Sequence, residues 1–159
     1  MSIYVLAFLI GVIAGLRSMI APAVVSWAAH LGWLPIDNTP LAFMGSKYVP
    51  CILSVLAIGE LIADKLPKTP SRKAPGPFAG RILTGALSGA AIGAASQALI
   101  GGLLAGVLGA IAGTLGGYEF RARLVRAIGG KDLPIALLED GIAIGGAYLI
   151  VSQGFISPR

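Results

Sequence analysis

Residues 78–127 read FAGRILTGALSGAAIGAASQALIGGLLAGVLGAIAGTLGGYEFRARLVRA. Before Glu119 the only charge in this run is Arg81. A membrane-spanning helix needs about 20 apolar residues. The run is too long for one such helix and right for two with a turn between them. Ser96, Gln97, Gly101 and Gly102 are the breakers in its middle, so the turn is expected between residues 97 and 102.

Outward from that pair, three further apolar segments cover residues 3–29, 42–66 and 134–152. With the central run divided as 78–98 and 102–127, the reading is a single domain over residues 1–159. It is an all-α integral membrane protein, a compact bundle of about five transmembrane helices. Helices are expected because backbone groups must be satisfied internally in lipid, and no segment alternates like a barrel strand. Pro134 suits the first turn of the last helix. The first segment lacks a basic region before it and contains Arg17, so it is read as a retained helix rather than a cleaved signal.

The composition agrees. Of 159 residues, 56% are hydrophobic and 12% are charged; mean hydropathy is +0.86. A soluble domain carries about 25% charge, so this chain cannot coat a water-soluble globule. The net charge of +5 does not point to nucleic acid, because the basic residues border apolar runs. Cys51 is the only cysteine and permits no internal disulfide. No phosphate loop, zinc spacing or nucleophile elbow occurs. No enzyme, cofactor or metal is therefore expected.

Basic residues set an expected orientation. Lys65, Lys68, Arg72, Lys73 and Arg81 lie between segments two and three, and Arg121, Arg123, Arg126 and Lys131 between segments four and five. These are nine of the twelve, and five alternating spans put both groups on one side. The positive-inside rule then predicts a multi-pass protein with its N-terminus inside and its C-terminus outside. The same residues suit anionic lipid headgroups, making membrane lipids the first expected partners. Trp27 and Trp33 flank His30 and read as interfacial anchors.

Small residues recur every fourth position: Gly85, Gly89 and Gly93; Gly102 and Gly106; Gly109, Gly113 and Gly117; Gly11 and Gly15; Gly141 and Gly145. Such stripes let helix backbones approach closely. They predict a glycine-zipper bundle, with part of the surface joining copies into a homo-oligomer, a dimer for preference. Residues 11–15 (GVIAG) resemble 109–113 (GAIAG), and Leu34-Pro35-Ile36 resembles Leu133-Pro134-Ile135. This suggests an inverted repeat relating helices one and two to helices four and five.

Acidic residues are scarce, seven in all. Glu60 and Asp64 share a helix face. Glu139 and Asp140 lie early in the last helix. At about 1.5 Å per residue, Glu60 and Asp140 both lie roughly 9 Å from the same end of the bundle, with Glu119 near enough to join them. Charged groups inside spans are costly unless paired or hydrated, and are functional candidates. One reading is a proton or cation site built from Glu60, Asp64, Glu139 and Asp140, for transport of a small solute or ion. The other is structural pairing with Arg72, Arg81, Arg121 or Arg123. Arg17, with Gly15 before it and Pro22 after it, invites a broken or kinked helix and is a pathway candidate. On an unbroken helix it would lie about 20 Å from the inner end, out of reach of Glu60. The proline-rich connector carrying Arg72, together with Arg81, is a candidate gate or lipid contact.

Gly15-Leu16-Arg17-Ser18 with Pro22, Gly59-Glu60 with Asp64-Lys65-Leu66-Pro67, and Pro70-Ser71-Arg72 followed by Gly80-Arg81 and Gly85-Ala86 resemble a bacterial inner-membrane family known as domain of unknown function 4126. The resemblance covers most of the chain and is most specific between Gly59 and Gly89. It implies a compact protein of the bacterial inner membrane and carries no activity. The functional expectation is a small transporter or channel-like protein. The alternative is a non-transporting scaffold or lipid-binding assembly protein held by arginine–carboxylate pairs.

Overall fold

The computed structural model describes residues 2–63, 75–131 and 133–155. They form six α-helices: α1 Ile3–Leu16, α2 Ile20–His30, α3 Val49–Ala63, α4 Pro75–Ala94, α5 Leu99–Ala127 and α6 Leu133–Phe155. A single 3-10 turn, Ala42–Gly45, precedes α3. No strand occurs among the described residues. Two helices, Leu99–Ala127 and Leu133–Ser152, are long and apolar enough to cross a membrane. Large apolar side chains such as Ile58, Leu83, Leu104, Leu108, Leu137 and Leu149 are exposed on the helix surfaces.

The expected first span, residues 3–29, is two helices. Arg17 is extended (φ −142, ψ 108) and ends α1. Pro22 supplies the physical reason. It has no N–H and clashes with the carbonyl four residues earlier, so it belongs in a first turn, and α2 restarts at Ile20 to put it there. The chain reverses at this break. Ile13 packs near Gly146, Arg17 meets Asp140, and Trp33 packs edge-on against Tyr148. Thus α1 runs antiparallel to α6 and α2 parallel to it. The two form a hairpin with Arg17 at its tip.

The remaining directions come from contacts. Trp27 Nε1 donates to Ser54 Oγ and Ser18 lies against Glu60, so α3 is antiparallel to α2. Gly93 lies against Ala98 and Gly102, and Gly85 against Gly106 and Ala110, so α4 and α5 form an antiparallel pair. Their turn is at residues 95–98, where Gln97 has φ 58. At the far end of α5, Gly129 (φ 84) and Gly130 (φ 89) adopt the left-handed conformation that stops the helix.

Two expectations change. Gly11 sits against Gly106 and Gly15 against Gly113 and Thr114, so α1 and α5 run in the same direction. An inverted repeat would oppose them. The hairpin also adds a reversal: Leu6 of α1 and Ile150 of α6 line one groove. Both described ends of the chain therefore lie at one end of the bundle, not at opposite ends as five alternating spans require.

The core is mostly small. Ala7, Ala14, Ala21, Ala28, Ala91 and Ala143 are fully or nearly fully buried, with Ile10, Val25, Ile92 and Met44 among the larger fillers. Between α1, α4 and α5 the backbones touch. A Cβ placed on Gly89 would overlap the carbonyl of Gly102, and one on Gly109 the carbonyl of Phe8.

Candidate functional site

A helix break leaves four carbonyls and four amides without intrahelical partners. At this break two of the carbonyls and two of the amides are met by charged side chains. Arg81 of α4 donates through one terminal guanidinium nitrogen to the carbonyls of Gly15 (2.5 Å) and Leu16 (3.0 Å). Thr114 Oγ1 adds a longer contact to the Gly15 carbonyl at 3.4 Å. Glu60 of α3 accepts from the Ser18 amide and hydroxyl, both at 2.8 Å, and from the Met19 amide at 2.8 Å. The cation thus sits at the negative end of α1 and the anion at the positive end of α2.

Arg17, between the two ends, is fully buried. Its Nε donates to Asp140 Oδ1 at 2.6 Å, and a terminal nitrogen lies 2.6 Å from the same oxygen. That terminal nitrogen lies 3.7 Å from Glu139 Oε2. Arg121 of α5 reaches the same Glu139 oxygen at 3.3 Å. Glu139 and Asp140 are each 8% exposed. The described cluster holds three arginines (17, 81, 121) and three carboxylates (60, 139, 140). Charge balance is the condition under which burial is tolerable, since an isolated buried charge costs several kcal/mol.

The depth comes from counting. Asp140 is seven residues into α6 and Arg81 six residues into α4. At about 1.5 Å per residue the hairpin tip stops roughly 10 Å short of the end where these helices begin. The expected match in depth between Glu60 and Asp140 is met at the tip. Arg17 itself is at this level because the helix breaks and turns back, which corrects its expected distance from Glu60.

The candidates divide accordingly. Arg17, Glu139 and Asp140 meet directly. Glu60 is on the other flank of the tip, on backbone amides, and Arg81 is also turned inward rather than toward a lipid surface. Asp64 and Arg72 lie outside the described residues. Glu119 and Arg123 are exposed. Among the described residues no three His, Cys, Asp or Glu side chains converge as a metal site. The Ser18 hydroxyl and the backbone of residues 15–19 join the site in addition to the expected side chains. The signal for them was the proline at 22, which decides where backbone groups are orphaned.

Beside the tip, a pocket of about 230 Å³ opens between α5 and α6. Its walls include Leu16, Phe120, Leu138 and Ile142, and Arg121 and Glu139 are its ionisable lining residues.

A family model described as "Domain of unknown function (DUF4126)" matches residues 4–155. The chain belongs to this family. No curated protein and no solved structure matches it. Of the residues in this DUF4126 chain that carry the resemblance, Arg17, Ser18, Glu60 and Arg81 converge at the helix break, and residues 64–67 and 70–72 lie outside the described residues.

Proposed function

We propose that this DUF4126 protein is a small membrane-embedded transporter or channel-like protein whose pathway passes the hairpin tip. The observation that carries the reading is the buried Arg17 at a helix break, facing Glu139 and Asp140 beside an open pocket. Broken helices that bring charged groups inside the membrane are a recurrent way to build transport sites. Ionisable groups at that depth are expensive without a use. Helices α5 and α6, and the exposed apolar side chains around the bundle, support embedding in lipid. With the end that carries Arg121, Arg123 and Arg126 toward the cytoplasm, the hairpin enters from the outer face and both described ends of the chain face out.

The test is proton flux into proteoliposomes, read by a trapped pH-sensitive dye under an imposed gradient. Glu139→Gln is expected to abolish the flux while the purified protein remains folded; undiminished flux overturns the site assignment. A scaffold role is favoured by one observation, the pairing of each described carboxylate at the break with arginine or backbone donors. In that reading, exchanging Arg121 and Glu139 for one another preserves stability and no flux is found in any variant.

A further inference from the structure

We infer that one acyl chain of an anionic phospholipid lies in a trough between α6 and the α1–α5 pair, with its headgroup at the basic end of α5. The lipid comes from the leaflet at that end of the bundle. The inference uses the membrane embedding of the chain and not the transport reading.

Two pockets lie end to end along α6. The first, of about 230 Å³, opens between α5 and α6 beside Ile135, Leu138 and Ile142. The second, of about 330 Å³, continues between α1 and α6 beside Gly146, Leu149 and Ile150. These positions recur every three or four residues, so they form one stripe of α6. The facing stripe of α1 runs from Leu6 through Leu9 and Val12 to Leu16. From Ile135 to Ile150 the trough is roughly 22 Å long at about 1.5 Å per residue.

Its dimensions select the occupant. Pockets of about 230 and 330 Å³ spread over roughly 22 Å leave a cross-section of about 25 Å². That is the width of one extended hydrocarbon chain. A helix with its side chains is about 10 Å across, so a helix of a second copy is too wide. From the level of Glu139 to Ile150 the trough runs roughly 16 Å, close to the depth of hydrocarbon in one leaflet, about 15 Å. The outer pocket is lined by apolar residues throughout, where a polar occupant would lose its hydrogen bonds. Leu138, Ile142 and Leu149 on its rim are exposed, so the trough opens sideways, toward lipid.

Charged lining is confined to one end. In α5 the stretch Leu99–Tyr118 carries no charge, and at about 20 residues it matches the hydrocarbon thickness. Arg121 follows within one turn, and with Glu139 it lines the inner end of the trough. Arg123, Arg126 and Lys131 lie further along, all exposed. These exposed cations are placed to meet an anionic headgroup, while the ion pairs at the hairpin tip stay as they are.

The probe is phosphatidylglycerol with a diazirine midway along one acyl chain, a trace component of phosphatidylcholine liposomes that hold the full chain. After illumination, labelled positions are read by peptide mass spectrometry. Label is expected to concentrate at Leu9, Val12, Ile142 and Leu149 over Leu83, Leu104 and Leu108, which are exposed apolar positions outside the trough. Unlabelled phosphatidylglycerol displaces the trough label, and further phosphatidylcholine does not. Arg123→Gln and Arg126→Gln each lower the preference for phosphatidylglycerol about fivefold. Gly116 lines the inner pocket, with nothing within 4 Å of a Cβ there, so Gly116→Leu fills it and loses the trough label. Gly145→Leu, equally open but off the trough, keeps it. Even labelling of the trough and of Leu104 and Leu108, or displacement by phosphatidylcholine as well, overturns the proposal. So does a trough label unchanged in Gly116→Leu, or cross-linking of the trough to a second copy in place of lipid. The labelling pattern and the competition need no variant, so they hold even where a substitution fails to fold. Trough label with no proton flux in proteoliposomes supports this site and overturns the transport reading. Glu139-dependent flux without trough label does the reverse, and absence of label at Leu104 and Leu108 as well overturns both.

Discussion

Helix α1 meets two neighbours by opposite means. Against α5 it packs backbone to backbone: Gly11 on Gly106, Phe8 and Val12 on Gly109 and Gly113, and Gly15 on Thr114. Against α6 it keeps its distance. An apolar groove lined by Leu6, Leu9, Val12, Leu149 and Ile150 separates them, and the ion pair from Arg17 to Asp140 bridges them at one end. The first joint has no room to move, because its partners are main-chain atoms. The second is made by side chains: Ile13 lies near Gly146, and Ala143, Ala147 and Val151 of α6 are buried in the core, with the groove beside them. Glu139, Asp140 and the pocket all lie on the second joint.

Four substitutions break or sharpen this contrast. Arg17→Met removes the bridge and leaves buried carboxylates behind, so it is expected to cost about 3–5 kcal/mol, read by chemical unfolding in detergent. A cost near zero would mean that α6 is held by something other than the ion pair. Gly106→Ala attacks the rigid joint: its Cβ overlaps the carbonyl of Gly85 and lies 3.0 Å from Gly89 Cα. Overpacking of this kind costs roughly 1–3 kcal/mol, and a melting temperature equal to the parent's would show that the three backbones can part cheaply. Glu60→Gln removes the charge from the start of α2 while keeping its size. A loss of about 0.5–2 kcal/mol is expected from the helix dipole, with faster hydrogen exchange at the amides of Ser18 and Met19. Gly145→Ala is the control. Nothing lies within 4 Å of a Cβ there, and the change should fall within about 0.5 kcal/mol. A large loss would reveal a partner packed on that face of α6.

The same contrast separates the features that were legible in the sequence from those that were not. Gly85, Gly89 and Gly93 have the same spacing as Gly141 and Gly145. The first set contacts main chain, and the second faces open space. Spacing states that a helix has a small face and is silent about what comes to it. The turn between α4 and α5 was legible in part: Gln97 takes the positive φ of a tight turn, but the turn falls at 95–98 rather than 97–102, because Gly101 and Gly102 belong to α5 and Gly102 packs on Gly89 and Gly93. The shared depth of Glu60 and Asp140 was legible by counting residues along straight helices. Counting failed for Arg17, because it assumed that the first segment is straight. One proline in the wrong place for an unbroken helix reversed the chain and moved the arginine to its carboxylates.

By itself the sequence determined that the chain is helical and apolar, and which handful of positions carry its few charges. Those are properties of composition and of local periodicity, and each is settled within a turn or two of helix. Only the tertiary structure decided that α1 and α2 fold back as a hairpin, and that Arg81 and Glu60 cap its two inner ends. It also decided that Arg17 faces Asp140 and Glu139 rather than solvent or lipid. These depend on side chains distant in sequence finding one another where orphaned backbone groups and buried charge leave no cheaper arrangement.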